Sequence, residues 1–322
     1  MKQAKHYWIG LFFLWFLPAP GLLGQPAPAA TFVMGQGTVA QAPGLPKGQS
    51  TGYRMLLGPS QEKSSYLIEN QSDDSLRWGY LEQAGLEYQF HFFREPWVRR
   101  WHVATLRTDW QIKGFPVLAK INAGRLAGLD IGDDQLLHLQ YQVDAYPRIT
   151  ASDYLYLSAA YSGSSRFPDY YLGAEWYHSF ERGFEASLGL RWLQWRESVV
   201  FYTGSAAKYL GNYWFSLRAY LTPSEEFTGQ TWTLSARRYL ATGEDYVGVK
   251  LEYGTSPESL ITIVDYPDIK GLRSTGAHLS YQRRLQRWLV RTEAGYRREE
   301  YRENTFRHHM IFRLHLLYQF NR

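Results

Sequence analysis

The C-terminal stretch from Arg307 to Arg322 constrains the fold most, because apolar and polar side chains alternate along it. The apolar residues occupy every second position: Met310, Phe312, Leu314, Leu316, Tyr318 and Phe320. The positions between them include His309, Arg313, His315 and Gln319. This period-two pattern is typical of a long β-strand with one apolar and one polar face. With aromatic residues at its closing end, the stretch has the features of the last strand of a bacterial outer-membrane β-barrel.

The same alternation returns along the chain from Gly85 onward. It predicts an all-β fold, a transmembrane antiparallel up-and-down β-barrel of about 14 strands. The second and third strands are weakly patterned, so a barrel of about 12 strands is the alternative. The predicted strands are Gly85–Phe93, Trp101–Gln111, Phe115–Arg125, Gln135–Tyr146, Asp153–Tyr161, Tyr170–Phe180, Phe184–Leu193, Val199–Tyr209, Tyr213–Leu221, Thr231–Leu240, Tyr246–Gly254, Thr275–Arg283, Trp288–Arg298 and Arg307–Phe320.

The connections between these strands alternate in length, as they do in outer-membrane barrels with short periplasmic turns and longer outer loops. Most of the predicted turns carry Gly or Asn, which tolerate positive φ. The turns are Lys113-Gly114, Pro147–Ser152, Glu181–Gly183, Leu210–Asn212, Ala241–Asp245 and Arg284–Arg287. The alternate connections are generally longer and include Gly124–Asp134, Ser162–Asp169, Thr222–Gln230 and Thr255–Ser274. We therefore expect the N-terminal tail and the C-terminus on the periplasmic side.

Composition excludes several other classes of protein. Aromatic residues make up 17% of the chain, but no internal apolar run approaches the roughly 20 residues of a membrane-spanning helix. The sequence has no cysteine, which excludes disulfides, thiolate metal sites and a cysteine nucleophile. The net charge of +5 is too small and too scattered to indicate a nucleic-acid-binding protein.

The N-terminal region has the composition of a secretory leader followed by a tail. Two lysines precede an apolar run from Tyr7 to Leu17, and small residues follow it. The run is too short to span a bilayer, so we predict a signal peptide over residues 1–29. Residues 30–75 are rich in Gly, Pro and Gln and are predicted to form a flexible periplasmic tail. Residues 76–322 are assigned to the barrel.

The charged residues of the predicted strands fall on the face opposite the apolar one. A basic residue facing lipid at the bilayer midplane costs about 2 to 4 kcal/mol, so a barrel requires this sorting. Two interpretations of the lumen stay open: it lines a pore or binds an anionic or sugar ligand, or paired ions and hydrogen-bonded aromatic residues simply fill it. The predicted inward charges are Asp144, Glu175, Glu185, Arg191, Arg218, Arg237, Lys250, Glu252, Arg291, Glu293 and Arg313, and the aromatic residues available for stacking are Tyr146, Tyr171, Tyr177, Trp214 and Tyr220.

A ligand site in the lumen is predicted on a basic row. Lys208, Arg218 and Arg237 come from three successive strands and are expected to face inward together. Carboxylates, a further guanidinium and an aromatic surface lie on the neighbouring strands, and such groups bind anions and sugars. The predicted ligand-binding residues are Glu175, Arg191, Lys208, Trp214, Arg218 and Arg237.

Signs of catalysis and of metal binding are weak. By parity His178 faces lipid, and no GxSxG element of a serine hydrolase is present. The Asp130–Asp134 loop lacks the 12-residue spacing of an EF-hand. We therefore predict no catalytic residue, no metal site and no cofactor, with outer-membrane lipid hydrolysis as the enzymatic alternative. The residues that such an activity or a metal would use are His278, Ser280, Asn304, His308, His309 and His315.

Several segments resemble the YaiO family of outer-membrane barrels over roughly Gly85 to the C-terminus. They are DAYPR at Asp144–Arg148, RFPDYYLGAEWYHSF at Arg166–Phe180, GFEASLGLRWL at Gly183–Leu193, YTGSAAKYLGNYWFSLRAYLTP at Tyr202–Pro223 and RRYL at Arg237–Leu240. The resemblance implies a membrane barrel, and the family offers no settled activity or catalytic residues to transfer. Relatives often carry a helical tetratricopeptide-type segment before the barrel, where this chain has its Gly/Pro-rich tail. Such barrels can accompany polysaccharide-handling genes, which implies glycan export or surface glycan work.

Together these patterns predict an outer-membrane barrel that acts as a channel or a surface-exposed component for small polar or glycan material. A closed structural or interaction barrel with a packed lumen is the alternative. We expect outer-membrane lipids and lipopolysaccharide as partners of the apolar face. The outer-membrane assembly machinery is expected to contact the C-terminal strand, and no nucleic acid is expected as a partner.

We expect Phe320→Ala to lower the amount of assembled barrel without altering secretion, because the terminal aromatic residue is expected to form part of the signal read during assembly. The heat-modifiable migration of the protein from isolated outer membranes measures assembly. Normal migration of the variant would contradict the prediction.

Overall fold

The structure is a closed β-barrel of 14 antiparallel strands. The computed structural model describes residues 79–94, 99–127, 137–195, 198–223, 228–255, 273–302 and 304–320, with backbone only at residues 301 and 302. The strands are β1 Tyr80–Phe93, β2 Arg99–Ile112, β3 Phe115–Ala127, β4 His138–Ala145, β5 Asp153–Tyr161, β6 Tyr170–Ser179, β7 Phe184–Gln194, β8 Ser198–Leu210, β9 Tyr213–Thr222, β10 Gly229–Tyr239, β11 Tyr246–Gly254, β12 Ser274–Leu285, β13 Trp288–Arg302 and β14 Thr305–Gln319.

Each strand pairs with the next one in sequence, and β1 pairs with β14 to close the barrel. The prediction of about 14 strands is confirmed, and the alternative of 12 is wrong. The largest boundary difference is at β1, which begins at Tyr80 rather than at Gly85. A register shift between Leu81 and Gln83 interrupts the alternation there, so Glu82 and Gln83 are both buried. The predicted signal peptide and tail lie outside the described residues.

Side chains alternate between the two faces of the barrel wall, as the period-two pattern predicts. On β14, Phe312 on the outer face is 50% exposed, whereas the neighbouring inward His309 is 0% exposed. Exposed large apolar side chains, mostly leucine and aromatic residues, lie on the outer face of every strand. The predicted inward charges all lie on the inner face, where they are buried or half-buried. This arrangement suits a wall with hydrocarbon on one side and a polar interior on the other.

The two ends of the barrel differ in their connections. We call the end where β1 begins and β14 ends the turn end, and the opposite one the loop end. At the turn end, β2 and β3 are joined by Lys113 and Gly114, which both have positive φ, 48° and 80°. Two positive φ values in a two-residue connection match the twist of the flanking strands. At the loop end most connections are longer, and the longest is the segment between Gly254 and Ser274. The exception is the short turn at Asn304 between β13 and β14.

The seam between β1 and β14 brings the two terminal strands into close backbone contact. Their register runs from Gln83 opposite Gln319 to Phe93 opposite His309. At Gly85 a Cβ atom would lie 1.9 Å from the backbone oxygen of Leu316. The seam therefore requires glycine at this position.

No helix among the described residues is long and apolar enough to cross a bilayer.

We expect Gly85→Val to reduce the assembled fraction strongly, by a destabilisation of at least about 2 kcal/mol, because the new side chain overlaps the backbone of β14. Gly163→Val is the control, since a Cβ there would have only an ordinary contact, 3.6 Å from the Tyr161 hydroxyl. Heat-modifiable migration after expression measures both variants. Equal assembly of the two would contradict the role given to Gly85.

Candidate functional site

Five of the six predicted ligand-binding residues face the lumen. Glu175 lies on β6, Arg191 on β7, Trp214 and Arg218 on β9, and Arg237 on β10. Each shares strand parity with buried neighbours on the inner face. Of the five successive strands β6 to β10, all except β8 thus present these side chains to one region of the interior.

The sixth residue, Lys208, faces outward, so its predicted place in an inward basic row is wrong. Lys208 shares parity with Tyr202, which is exposed on the outer face of β8. Its Nζ lies 3.5 Å from the centroid of the outward Phe184 ring and donates a hydrogen bond to the Arg182 carbonyl. The ammonium is thereby kept at the turn end, where it is hydrogen-bonded to a turn carbonyl and does not reach the lumen.

Arg218 is the centre of the inward cluster. Its Nη1 donates to Glu175 Oε1 at 2.7 Å and to Thr203 Oγ1 at 3.0 Å, and its Nη2 donates to the Tyr177 hydroxyl at 2.9 Å. Ser187 also donates to Glu175, at 2.6 Å. Glu175 and Arg218 therefore tie β6, β7, β8 and β9 together, which is a structural use of both residues.

The remaining inward arginines of the site lie against aromatic rings. The Arg237 guanidinium carbon is 5.1 Å from the Trp214 ring centroid and 4.6 Å from that of Tyr246. Arg191 lies 5.3 Å from the Tyr220 ring centroid and 3.7 Å from Glu175 Oε2. Such cation–π contacts help to hold both guanidinium groups in place.

The inner surface of the β9–β10 hairpin differs from the rest of the lumen. It is rich in hydroxyl groups and arginine and carries no carboxylate among its described inward residues, which include Trp214, Ser216, Arg218, Tyr220, Thr231, Thr233, Ser235, Arg237 and Tyr239. Trp214 is 1% exposed and Thr233 5%, yet within the described chain neither the indole Nε1 nor the threonine Oγ1 has a hydrogen-bond partner. Buried polar groups in proteins are nearly always paired, so these two atoms call for water or a ligand.

The neighbouring wall, on β11 to β14 and β1, is an ion-paired network. Glu252 binds Lys250 at 2.7 Å and Arg297 at 2.6 Å, and Glu293 binds Arg313 at 2.6 Å. His309 connects the seam, since its Nδ1 lies 2.9 Å from Glu299 Oε1 and its Nε2 2.9 Å from His91 Nδ1. These carboxylates and cations are largely paired with one another, so we interpret this wall as a structural network.

The residues considered for catalysis do not assemble into a nucleophile and base. His278 lies between two carboxylates, with Nδ1 3.0 Å from Glu293 and Nε2 3.3 Å from Glu252. Ser280 donates instead to the Gly248 carbonyl, at 3.4 Å. His178 faces outward as predicted and contacts Asp153, 2.8 Å away. Lipid hydrolysis by His278 and Ser280 is therefore not supported by their geometry.

A metal site at His308 and His309 is also not formed, because the two rings lie on opposite faces of β14. His308 contacts the outward Tyr296 hydroxyl at 2.6 Å, whereas His309 contacts His91 inside. No group of three or more histidine and acidic side chains suited to a metal occurs in the part of the chain that the structure describes. The Asp130–Asp134 loop lies outside that part.

The comparison with family models identifies the barrel. The model described as "YaiO membrane beta barrel domain" matches residues 81–259. This chain belongs to the YaiO family. The expected resemblance is confirmed, and the chain is an outer-membrane β-barrel of that family.

Solved structures resemble the YaiO-family barrel only distantly. An anion-selective porin from Comamonas acidovorans is 9% identical, with a TM-score of 0.40 and coverage of 75% of this chain and 100% of that one. Pseudomonas aeruginosa OpdO is 8% identical, with a TM-score of 0.43 and coverage of 75% and 96%. P. aeruginosa OpdK with vanillate is 11% identical, with a TM-score of 0.40 and coverage of 74% and 98%. At these scores the likeness carries no argument about function. No curated protein matches the chain.

Sequence reasoning missed Thr233 and His91 as residues of interest in this YaiO-family barrel. Thr233 stands opposite Arg218 in the register of β9 and β10, and His91 reaches His309 across the seam. The alternation places both on the inner face, so parity could have identified them as inward. Which inward groups find partners depends on side-chain geometry across strands, which parity does not give.

We expect Arg218→Met to lower the free energy of unfolding by about 3 kcal/mol, because buried Glu175 loses its closest cation. Lys208→Met is the matched control and should change it by less than about 1 kcal/mol, since Lys208 is on the outer face at the turn end. Denaturant-induced unfolding in detergent micelles, followed by tryptophan fluorescence, measures both. Equal losses in the two variants would contradict the central role of Arg218.

Proposed function

We propose that this YaiO-family barrel gives passage to, or displays at the cell surface, small polar or glycan material that binds the inner face of β9 and β10. The observation that carries this proposal is the pair of buried, unpartnered polar atoms on that face, Trp214 Nε1 and Thr233 Oγ1. An indole N–H and a hydroxyl left without protein partners cost free energy unless water or a ligand satisfies them.

The chemistry of the face suggests the class of ligand. The arginines at positions 218 and 237 bring guanidinium groups to the face, and no inward carboxylate lies on either strand, although Arg218 is paired with Glu175 of β6 at 2.7 Å. Hydroxyl groups exchange hydrogen bonds with sugar hydroxyls, aromatic rings provide flat surfaces, and guanidinium groups bind carboxylates. A hydroxyl-rich molecule with a negative group, such as an acidic oligosaccharide, fits this combination best.

We assign the turn end to the periplasm and the loop end to the cell exterior. Tight two-residue turns join β2 to β3 and β8 to β9 at the turn end, whereas β3 to β4 and β11 to β12 are joined by much longer segments at the loop end. Outer-membrane barrels have their short turns in the periplasm. This orientation puts the N-terminal tail and the C-terminus on the periplasmic side.

A closed structural barrel is the second candidate, and the ion-paired wall favours it. Glu252, Glu293 and Glu299 are each 7% exposed or less and are bound to cations of neighbouring strands. Groups that line a wide aqueous channel would be more exposed. Under our proposal this wall is a fixed scaffold, and the ligand binds the neighbouring β9–β10 face. Trp214, Arg218 and Arg237 on that face are equally buried, so the proposal requires them to move when a ligand enters.

Planar-bilayer recordings test the proposal. We expect steady channels whose current is blocked by an acidic oligogalacturonide more strongly than by a neutral maltooligosaccharide of equal length. The double substitution Trp214→Phe and Thr233→Val should weaken the block by about thirtyfold, which corresponds to two hydrogen bonds of roughly 1 kcal/mol each.

The same double variant separates a ligand role from a structural one. If the two groups serve no ligand, their removal should stabilise the barrel and leave any current block unchanged, because a buried unpaired group is lost. Electrical silence from a well-folded wild-type sample would overturn the proposal in favour of the closed barrel. Ser216→Ala, on the same face but without an unpartnered atom, is the control for the block.

A further inference from the structure

Three arginines on the outer face of the barrel have no ionic partner in the part of the chain that the structure describes. They are Arg100 on β2, Arg125 on β3 and Arg298 on β13, and all three are exposed. Within the described residues none of them forms an ion pair, and Arg298 only lies over the Phe306 ring, 3.8 Å from its centroid. The nearby Glu300 does not neutralise them, because it is bound to Arg273 at 3.2 Å.

The three arginines form one patch with two histidines. Across the strand pairs, His308 stands opposite Arg298, and His102 stands opposite Arg125. These residues occupy β13, β14, β2 and β3, with β1 between them, so the strands are contiguous across the seam. At about 4.8 Å per strand, five strands span about 19 Å. We call this set, Arg100, His102, Arg125, Arg298 and His308, the outer basic patch.

The outer basic patch lies at one height on the wall. Arg298 is ten residues from Trp288, where β13 begins, and Arg125 is ten residues from Phe115, where β3 begins. Arg100 is twelve residues from Ile112, the turn-end residue of β2. A barrel strand needs about 9 to 11 residues to cross the hydrocarbon, so the patch lies at the loop-end boundary of the membrane. Cations on the outer face are tolerated at such a boundary and costly at the midplane.

The two histidines are held in similar ways. The Tyr88 hydroxyl lies 2.6 Å from His102 Nδ1, and the Tyr296 hydroxyl lies 2.6 Å from His308 Nδ1. A tyrosine that donates to Nδ1 leaves the proton on Nε2, which can then donate to another group. Both rings are thus held beside the arginines by a tyrosine hydroxyl.

On several other strands, the outward residues at the loop-end boundary are aromatic and not basic. On β5, β6, β8, β10 and β11 the outward residues there are aromatic: Tyr161, Tyr170, Tyr202, Trp232 and Tyr253. None of the described outward residues at the loop end of β4 to β11 is basic. An aromatic girdle without cations suits a general interface, whereas clustered cations mark one sector for an anion.

We propose that the outer basic patch binds the phosphate groups of lipopolysaccharide in the outer leaflet. The argument is charge complementarity: guanidinium groups form charge-assisted, bidentate hydrogen bonds with phosphate, and the patch faces the lipid side of the wall at headgroup depth. The choice of lipopolysaccharide over a phospholipid rests on the orientation given under the proposed function, with the loop end outside. The lipid bound there spans the seam and buttresses the β1–β14 pairing from outside.

Titration of the purified full-length protein in detergent with lipid A tests the proposal. Wild-type protein should bind phosphorylated lipid A and lose at least about tenfold in affinity when its phosphates are removed. The triple variant Arg100→Gln, Arg125→Gln, Arg298→Gln should lose at least about tenfold for the phosphorylated form. The matched control, Lys208→Gln, Arg238→Gln, Arg283→Gln, removes the same charge from the outer face at the turn end and should bind like wild type.

Several outcomes would overturn the proposal. Equal affinity of the triple variant and wild type would do so, as would an equal loss in the control variant, which would indicate attraction by net charge alone. Phosphatidylglycerol bound at the patch as tightly as lipid A would overturn the choice of lipid. Heat-modifiable migration shows that each variant is folded. Bilayer conductance of the triple variant should equal that of wild type, so a failure here is distinguishable from a failure of the proposed lumenal passage.

Discussion

Backbone hydrogen bonding is the constraint on which the rest of this structure depends. In hydrocarbon, an unpaired N–H or C=O group costs several kcal/mol, so a sheet that crosses the membrane can have no free edge. The β1–β14 pairing removes the last two edges, and Gly85 allows the two backbones to approach. Once the wall is closed, strand parity alone decides which side chains meet lipid and which meet the interior.

The charged side chains of the interior are stabilised in two different ways. On β11 to β14 and β1, carboxylates and cations neutralise one another over short distances, as between Glu252 and Arg297. On β9 and β10, arginines lie against aromatic rings, as Arg237 does against Trp214 and Tyr246. Within the described residues, the second arrangement also contains two buried polar atoms without a protein partner, Trp214 Nε1 and Thr233 Oγ1. Under the proposed function, this asymmetry separates a structural side of the lumen from a ligand-binding side.

Most of the fold could be predicted from the sequence, because period-two alternation is a local signal that a closed barrel repeats in every strand. The prediction was wrong where local geometry departs from this alternation. The register shift between Leu81 and Gln83 interrupts it, so the sequence pattern did not indicate that β1 begins at Tyr80. The site was predicted less well. Lys208 has the residue type of a binding group, but its parity is outward, while Thr233 is an ordinary strand residue whose lack of a partner depends on the packing of neighbours.

The contact between His91 and His309 joins residues 218 positions apart in the chain, whereas every other strand pair joins sequence neighbours. The thirteen remaining pairings are therefore hairpins that can form locally. Only the β1–β14 pairing has a large loop-closure entropy cost. Folding time should be dominated by that single step. An intermediate with its hairpins formed but its two terminal strands unjoined would expose two long edges, and this is the species most prone to aggregate or to need a chaperone.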